Sequence, residues 1–375
     1  MSSKVVHVAI IGAGGVGKCF INQLSAFAAK SSVTLKTILL SRSKTALVSR
    51  DYSGINLSTW ESDFASSAVA TPAFPAETLD FLKSAPGPVI LVDNTSNESV
   101  AAAYPQFLNA GIHIVTPNKK GFSSGIQLWN DIFAAAKNGG NPNGGYVFHE
   151  ASCGAGLPVI STIKELVETG DVIKKIEGVF SGTMSFLFNN YAPLDGKGTM
   201  GFADAVKFAK DEGYTEPDPR DDLNGADVAR KLTILARLSG LQVEDITKFP
   251  IQSLVPADLE SAKDGDEYLA KLPGHKSNDD IAEKKAAAEA QGGVIRYVGS
   301  IDFSAGSEVV DKVSVGLRTF DKTSPIAGLQ GADNIISITT ERYNKTPLVI
   351  QGAGAGGDVT AMGVLGDLIK VLQRI

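Results

Sequence analysis

The run VVHVAIIGAGGVGKCF, residues 5–20, decides the fold. An apolar stretch too short for a helix of its own meets glycines, and the helical pattern GVGKCFINQLSAFAAK follows directly. Strand, glycine loop and helix in that order match the dinucleotide fingerprint GxGxxG at Gly12, Gly14 and Gly17. Gly12 permits a tight turn, Gly14 lets the backbone approach a pyrophosphate, and Gly17 lets helix and strand pack closely. Ala13, Gly15 and Val16 complete the loop, and the helix N-terminus favours phosphate charge. The spacing predicts a bound dinucleotide.

Outward from the loop, VTLKTILLS, PVILVDNTS, IHIVTPNKK and YVFHEAS read as strands separated by helical patterns. Continuous apolar strands between amphipathic helices predict an α/β protein with a Rossmann-type, doubly wound parallel sheet covered on both faces. Ligands bind beyond the carboxyl ends of such strands. Thr95 and Ser96 of DNTS, and Pro117 and Asn118 of TPNKK, are therefore expected at the cofactor, while Lys119 and Lys120 cannot be told apart by position. The second strand ends ILLSRSK, without the acid that usually holds the ribose of NAD. Ser41 and Arg42, with Lys44 nearby, suit a 2′-phosphate instead, so NADP is expected, with NAD use left open.

The pattern changes past residue 150. Helical and strand-like stretches mix to about 255, and the charged, Ala-rich segment 256–292 reads as a surface insert. Four alternating runs from VIRYVGSIDF to PLVIQG suggest antiparallel strands. The glycine-rich QGAGAGG then precedes a last amphipathic helix. The expected organisation is a dinucleotide-binding domain over 1–150, an inserted mixed α/β domain over 151–350, and a segment over 351–375 returning to the first domain.

Composition excludes several classes. The 375 residues are 43% hydrophobic and 20% charged with a net charge of -6, which argues against nucleic acid or an anionic membrane as partner. Two cysteines, Cys19 and Cys153, cannot form a disulfide framework and point to a reducing compartment. The first apolar stretch is too short for a signal-peptide core or a membrane span, so a soluble cytoplasmic protein is expected.

The densest charge lies in GYTEPDPRDDLNGADVARK, residues 213–231. Asp227 and Lys231 are four apart and share a helix face, which by itself describes a common exposed pair worth about 0.2 to 0.5 kcal/mol. Charge runs are usually solvated loops, but the stiffening prolines around Asp218 also suit a preorganised site for something small.

Read in order, TPNKK, HEASCGAGLP, GVFSGTMSF and the 213–231 run, with the glycine loop and QGAGAGG, resemble homoserine dehydrogenase of the monofunctional fungal type over nearly the whole chain. That family interconverts homoserine and aspartate 4-semialdehyde with a nicotinamide cofactor, in the route to threonine, methionine and isoleucine. The resemblance implies that Glu216, Asp222 and Asp227 frame the amino acid, with Lys231 and Lys119 at the reacting oxygen and Asp227 orienting Lys231. It implies Gly356 at the cofactor, a homodimer built on the strands from 294 to 350, and a monovalent cation, sodium, on Glu150, Cys153, Ala155 and Leu157. Backbone carbonyls suit a hard cation without involving the Cys153 sulfur. Independent chemistry agrees with the lysine. Homoserine's ammonium needs carboxylates, and its alcohol loses a proton as hydride leaves, which a neutral lysine accepts if its pKa is brought down from about 10.4.

Two other readings compete. Phosphorylating semialdehyde dehydrogenases place a nucleophilic cysteine after the first half of such a sheet, where Cys153 stands, although none of His7, His113, His149 and His275 is placed to serve it. A non-catalytic NADP-binding sensor needs the glycine loop but has no use for the 213–231 run.

Overall fold

The computed structural model describes residues 4–375. The chain divides into two compact units, Met1–Gly156 with Ala355–Ile375, and Leu157–Gly354. The first unit thus runs six residues past the expected boundary and takes in the turn after HEAS.

Its sheet contains β1 (Val5–Ile11), β2 (Thr34–Ser41), β3 (Thr45–Val48), β4 (Val69–Ala70), β5 (Val89–Asp93), β6 (His113–Val115) and β7 (Val147–Phe148), in the order β4-β3-β2-β1-β5-β6-β7. Five strands, β2-β1-β5-β6-β7, pair in parallel. Every residue of β5 is buried, as a strand covered on both faces requires. At one edge β3 and β4 add antiparallel, so the sheet is mixed rather than purely parallel. These two strands are short, and the alternation that marks a strand has little length in which to show. The strand order reverses between β1 and β5, which opens the ligand crevice at the carboxyl ends. The helix Gly357–Leu372 returns to this unit and buries Ala361, Val364, Leu368 and Val371 in the same core as Val8, Ile10 and Phe20.

The second unit is built on β8 (Ile173–Val179), β9 (Gly293–Asp302), β10 (Val313–Asp321), β11 (Asn334–Thr340) and β12 (Leu348–Gly352). They form one antiparallel sheet in the order β10-β9-β8-β11-β12. The segment 256–292 is less detached than its composition suggests. Helix Ser277–Ala290 buries Ile281 and Ala288, and Lys285 donates to the carbonyls of Tyr191 (2.8 Å) and Gly198 (3.2 Å).

Candidate active site

The glycine loop of the first unit is built as its spacing predicts. Gly12 has φ +92°, and a Cβ there would lie 2.8 Å from Thr95 Cγ2. A Cβ on Gly17 would collide with the Gly12 carbonyl oxygen, whereas one on Gly14 or Gly15 would meet open space. The loop is therefore closed toward the protein and open where a phosphate would lie. Helix Gly15–Ala28 starts from Gly14 with no side-chain cap and no acid in its first turn, leaving its N-terminal amides to an anion. A Cβ on Gly357 would lie 3.6 Å from the Gly15 carbonyl oxygen, so a second helix start, capped by Gly356 at φ +119°, adjoins the loop. Ala13 is buried and Val16 half-buried within the loop.

A cleft of about 540 Å³ beside the loop is lined by Gly12, Ser41, Arg42, Ser43, Thr95 and Ser96, among others. Ser41 is almost fully buried, so the freely exposed hydroxyl next to Arg42 is that of Ser43, which the sequence reading passed over.

The TPNKK loop is held from below by the buried carboxylate of Asp93. It accepts from Tyr104 Oη (2.5 Å), Asn118 Nδ2 (2.9 Å) and the Thr95 amide (2.8 Å), while Thr116 Oγ1 donates to the Asp93 carbonyl (2.7 Å). Burial pushes the Asp93 carboxyl up, and these donors oppose the shift. Asn118 thus ties the loop to the strand below it; Pro117 and Lys119 are half-buried beside it. Lys120 reaches Glu98 on the surface at 3.8 Å, which separates the two lysines that position alone left equivalent.

The second unit sorts the acids of the 213–231 run. Asp218 belongs to Arg220 (2.5 Å), whose guanidinium also donates to the carbonyls of Glu260 (2.9 Å) and Ala262 (2.8 Å), so this pair is a structural clamp. Asp222 accepts from Thr183 Oγ1 at 2.9 Å and from the Glu216 amide at 2.8 Å. Burial, followed by the like charges of Glu216 and Asp227, holds the Asp222 carboxyl above its ordinary range. The Glu216 side chain is exposed, and its amide ties the loop to Asp222. Helix Ala226–Leu238 begins at Gly225, where φ is +74° and a Cβ would collide with the Tyr297 hydroxyl. On this helix Lys231, only 6% exposed, places Nζ 2.9 Å from Asp227 Oδ2 and 2.6 Å from the Phe180 carbonyl. The like charges of Glu216 and Asp227 thus bear on Asp222, and Asp227 in turn pairs with Lys231. Thr183 was missed in sequence as a site residue; it lies within GVFSGTMSF, and only its bonds to Asp222 and to the Tyr214 carbonyl (2.6 Å) give it a role.

The HEASCGAG turn lies in the first unit up to Gly156. Glu150 is buried; its amide donates to Asp367 Oδ2 (2.7 Å) and its carboxylate lies 3.3 Å from Lys370 Nζ. Burial lifts the Asp367 carboxyl to about 6. Gly154 and Ala155 both have positive φ, +80° and +54°, an arrangement that re-aims successive carbonyls. Leu157 opens the second unit. Two carboxylates share the Lys370 ammonium here, Glu150 at 3.3 Å and Asp367 at 2.9 Å. Among the described residues no three His, Cys, Asp or Glu side chains converge as a metal site. Cys153 is fully buried and His149 stacks on Phe122 at 3.9 Å while bonding Ser152, so this thiol is not presented for thioester chemistry.

Residues 12–142 match the family model for the NAD-binding domain of homoserine dehydrogenase, which with the open glycine loop places the chain among the nicotinamide-dependent oxidoreductases. Residues 158–369 match the homoserine dehydrogenase model itself. The chain is 52% identical to the homoserine dehydrogenase of Emericella nidulans and 48% identical to that of Saccharomyces cerevisiae, covering 100% of both chains in each comparison. It belongs to the homoserine dehydrogenase family, and its reaction is the nicotinamide-dependent interconversion of L-homoserine and L-aspartate 4-semialdehyde. Among solved structures, a Candida auris protein of unknown function superposes with a TM-score of 0.91 at 50% identity, over 100% of this chain and 99% of that one. A hyperthermophilic archaeal homoserine dehydrogenase in complex with NADPH shares the fold, with a TM-score of 0.70 at 22% identity over 99% and 98% of the two chains. The thioester and sensor readings find no support in these relatives.

Proposed function

We propose that Lys231 moves the proton at the substrate's terminal oxygen, that Asp227 orients it, and that Glu216 and Asp222 hold the substrate ammonium. The observation that carries this reading is the buried Lys231 Nζ, bonded to the Phe180 carbonyl and to Asp227, whose charge also bears on Asp222. A substrate ammonium offsets the like charges of Glu216 and Asp227 that, after burial, raise Asp222. The nicotinamide supplies the hydride chemistry when bound. In oxidation Lys231, neutral, accepts the alcohol proton; in reduction it returns a proton to the aldehyde oxygen. Lys119 is the second cation in this reading, as the family resemblance implies. The test is homoserine oxidation followed by NADPH absorbance in Lys231→Ala and Lys119→Ala, with cofactor binding measured by fluorescence. Turnover falls by orders of magnitude while NADPH still binds; near-normal turnover in the Lys231 variant removes the assignment.

The finer features follow the same residues. NADP is the preferred cofactor, with NAD also accepted, because Arg42 and Ser43 line the cleft and no acid closes β2. Gly12 to Gly17, Thr95, Ser96, Pro117 and Gly356 surround the cofactor. Arg42→Asp raises KM for NADP far more than for NAD, and equal changes remove the preference. Sodium is held by Glu150 and the carbonyls of Cys153, Ala155 and Leu157. The protein works as a cytoplasmic homodimer built on the strands from 294 to 350. Among the described residues no helix is long and apolar enough to cross a membrane.

A further inference from the structure

Arg42 is exposed at the end of β2, where a long cationic side chain ordinarily samples many rotamers and loses that freedom on binding a phosphate. Here it is not left loose. Its guanidinium carbon lies 4.6 Å from the Phe64 ring centroid and 5.6 Å from that of Trp60. Both rings stand four residues apart on the helix Trp60–Ser67 and so share one face, 6.1 Å between centroids and edge to face. Both are buried in the core of the first unit, so the platform beneath Arg42 is rigid. The acid of the same helix that bears on Arg42, Glu61, is occupied by Lys18 at 2.9 Å. A guanidinium resting on aromatic rings keeps its donors in its own plane at the periphery, available to a bidentate oxyanion, whereas a lysine in the same place would not stack with comparable geometry.

We propose that Phe64 and Trp60 form an aromatic shelf that presets Arg42 for a 2′-phosphate, making this helix, and not the β2 end alone, the determinant of dinucleotide choice. The inference rests on the reading of Arg42 as the 2′-phosphate ligand. Phe64 and Trp60 are positioning residues; they act only through Arg42.

The experiment measures KM for NADP and for NAD, with homoserine saturating, in the wild type, Phe64→Leu, Phe64→Tyr, Arg42→Leu and the Arg42→Leu/Phe64→Leu double variant. Phe64→Leu raises the ratio of KM for NADP to KM for NAD about threefold to tenfold, the range of a partly desolvated cation–aromatic contact. Phe64→Tyr, which keeps the aromatic face, restores the ratio. In the Arg42→Leu background, Phe64→Leu changes the ratio no further. If Arg42→Leu shifts the ratio and Phe64→Leu does not, the shelf is wrong while the NADP reading stands. If Arg42→Leu leaves the ratio unchanged, the NADP reading itself falls and takes the shelf with it. Parallel loss of both cofactors in Phe64→Leu and Phe64→Tyr marks a packing role alone and overturns the proposal.

Discussion

The Nζ of Lys231 lies 2.9 Å from Asp227 Oδ2, one helical turn earlier. Sequence spacing alone describes a surface pair. Burial of Lys231 and its second bond to the Phe180 carbonyl make it a fixed side chain with a defined direction. Truncating one member of such a pair leaves the other poorly oriented. Asp227→Asn is expected to lower kcat for homoserine oxidation about tenfold to a hundredfold, with KM for NADP unchanged. Steady-state kinetics at saturating cofactor checks this, and an unchanged kcat would mean that Lys231 needs no orienting partner.

Thr183 ties two parts of the cradle together through one hydroxyl, at the Tyr214 carbonyl and the Asp222 carboxylate. Thr183→Val keeps the shape and removes the donor. A lost hydrogen bond to a charged group corresponds to roughly 1.5 to 3 kcal/mol. KM for homoserine therefore rises by about tenfold or more, while NADPH affinity, measured by fluorescence titration, stays put. A variant with wild-type KM shows that Asp222 is held well enough by the Glu216 amide.

Gly225 sets the start of the Lys231 helix. Its φ of +74° disfavours any Cβ, and that Cβ would meet the Tyr297 hydroxyl and lie 3.0 Å from Ile251 Cγ2. Gly225→Ala costs about 2 to 4 kcal/mol from backbone strain and overpacking together. Adding Tyr297→Phe removes the hydroxyl and recovers part of the loss, read as the urea midpoint of unfolding. Full recovery or none would show that one of the two terms is absent.

His113 gives the first unit a dependence on pH. Burial, with the Lys137 and Lys4 charges, pulls its imidazole down to about 4, and Nδ1 accepts the Tyr146 amide at 2.9 Å. Its folded pKa is below the unfolded value, so the unfolded chain binds the proton first. The stability from neutral His113 is complete above pH 6.5 and is lost as pH falls toward 4, on the order of 3 kcal/mol. Denaturant unfolding at several pH values should show this slope, reduced in His113→Asn; an equal slope in the variant assigns it to other groups.

Much of the fold was legible in the chain. The five parallel strands, the glycine loop and the antiparallel character of β9 to β12 follow from local period and turn residues. The antiparallel pair β3 and β4 was not, being too short to show a period. The segment 256–292 read as detached because its few inward residues, such as Ile281 and Ala288, are outnumbered by charges. At the site, the motif 213–231 announced a cradle but could not assign its acids.

By itself the sequence determined where the glycine loop joins strand to helix and that Asp227 and Lys231 share one helix face, because glycine spacing and helical periodicity are properties of neighbouring residues. Only the tertiary structure decided that Asp218 serves Arg220, that Thr183 holds Asp222 across 39 positions, that Phe180 lends its carbonyl to Lys231 across 51, and that Arg42 rests on aromatic rings. Those partners meet because packing directs their side chains to one point, and no local pattern in the chain encodes that direction.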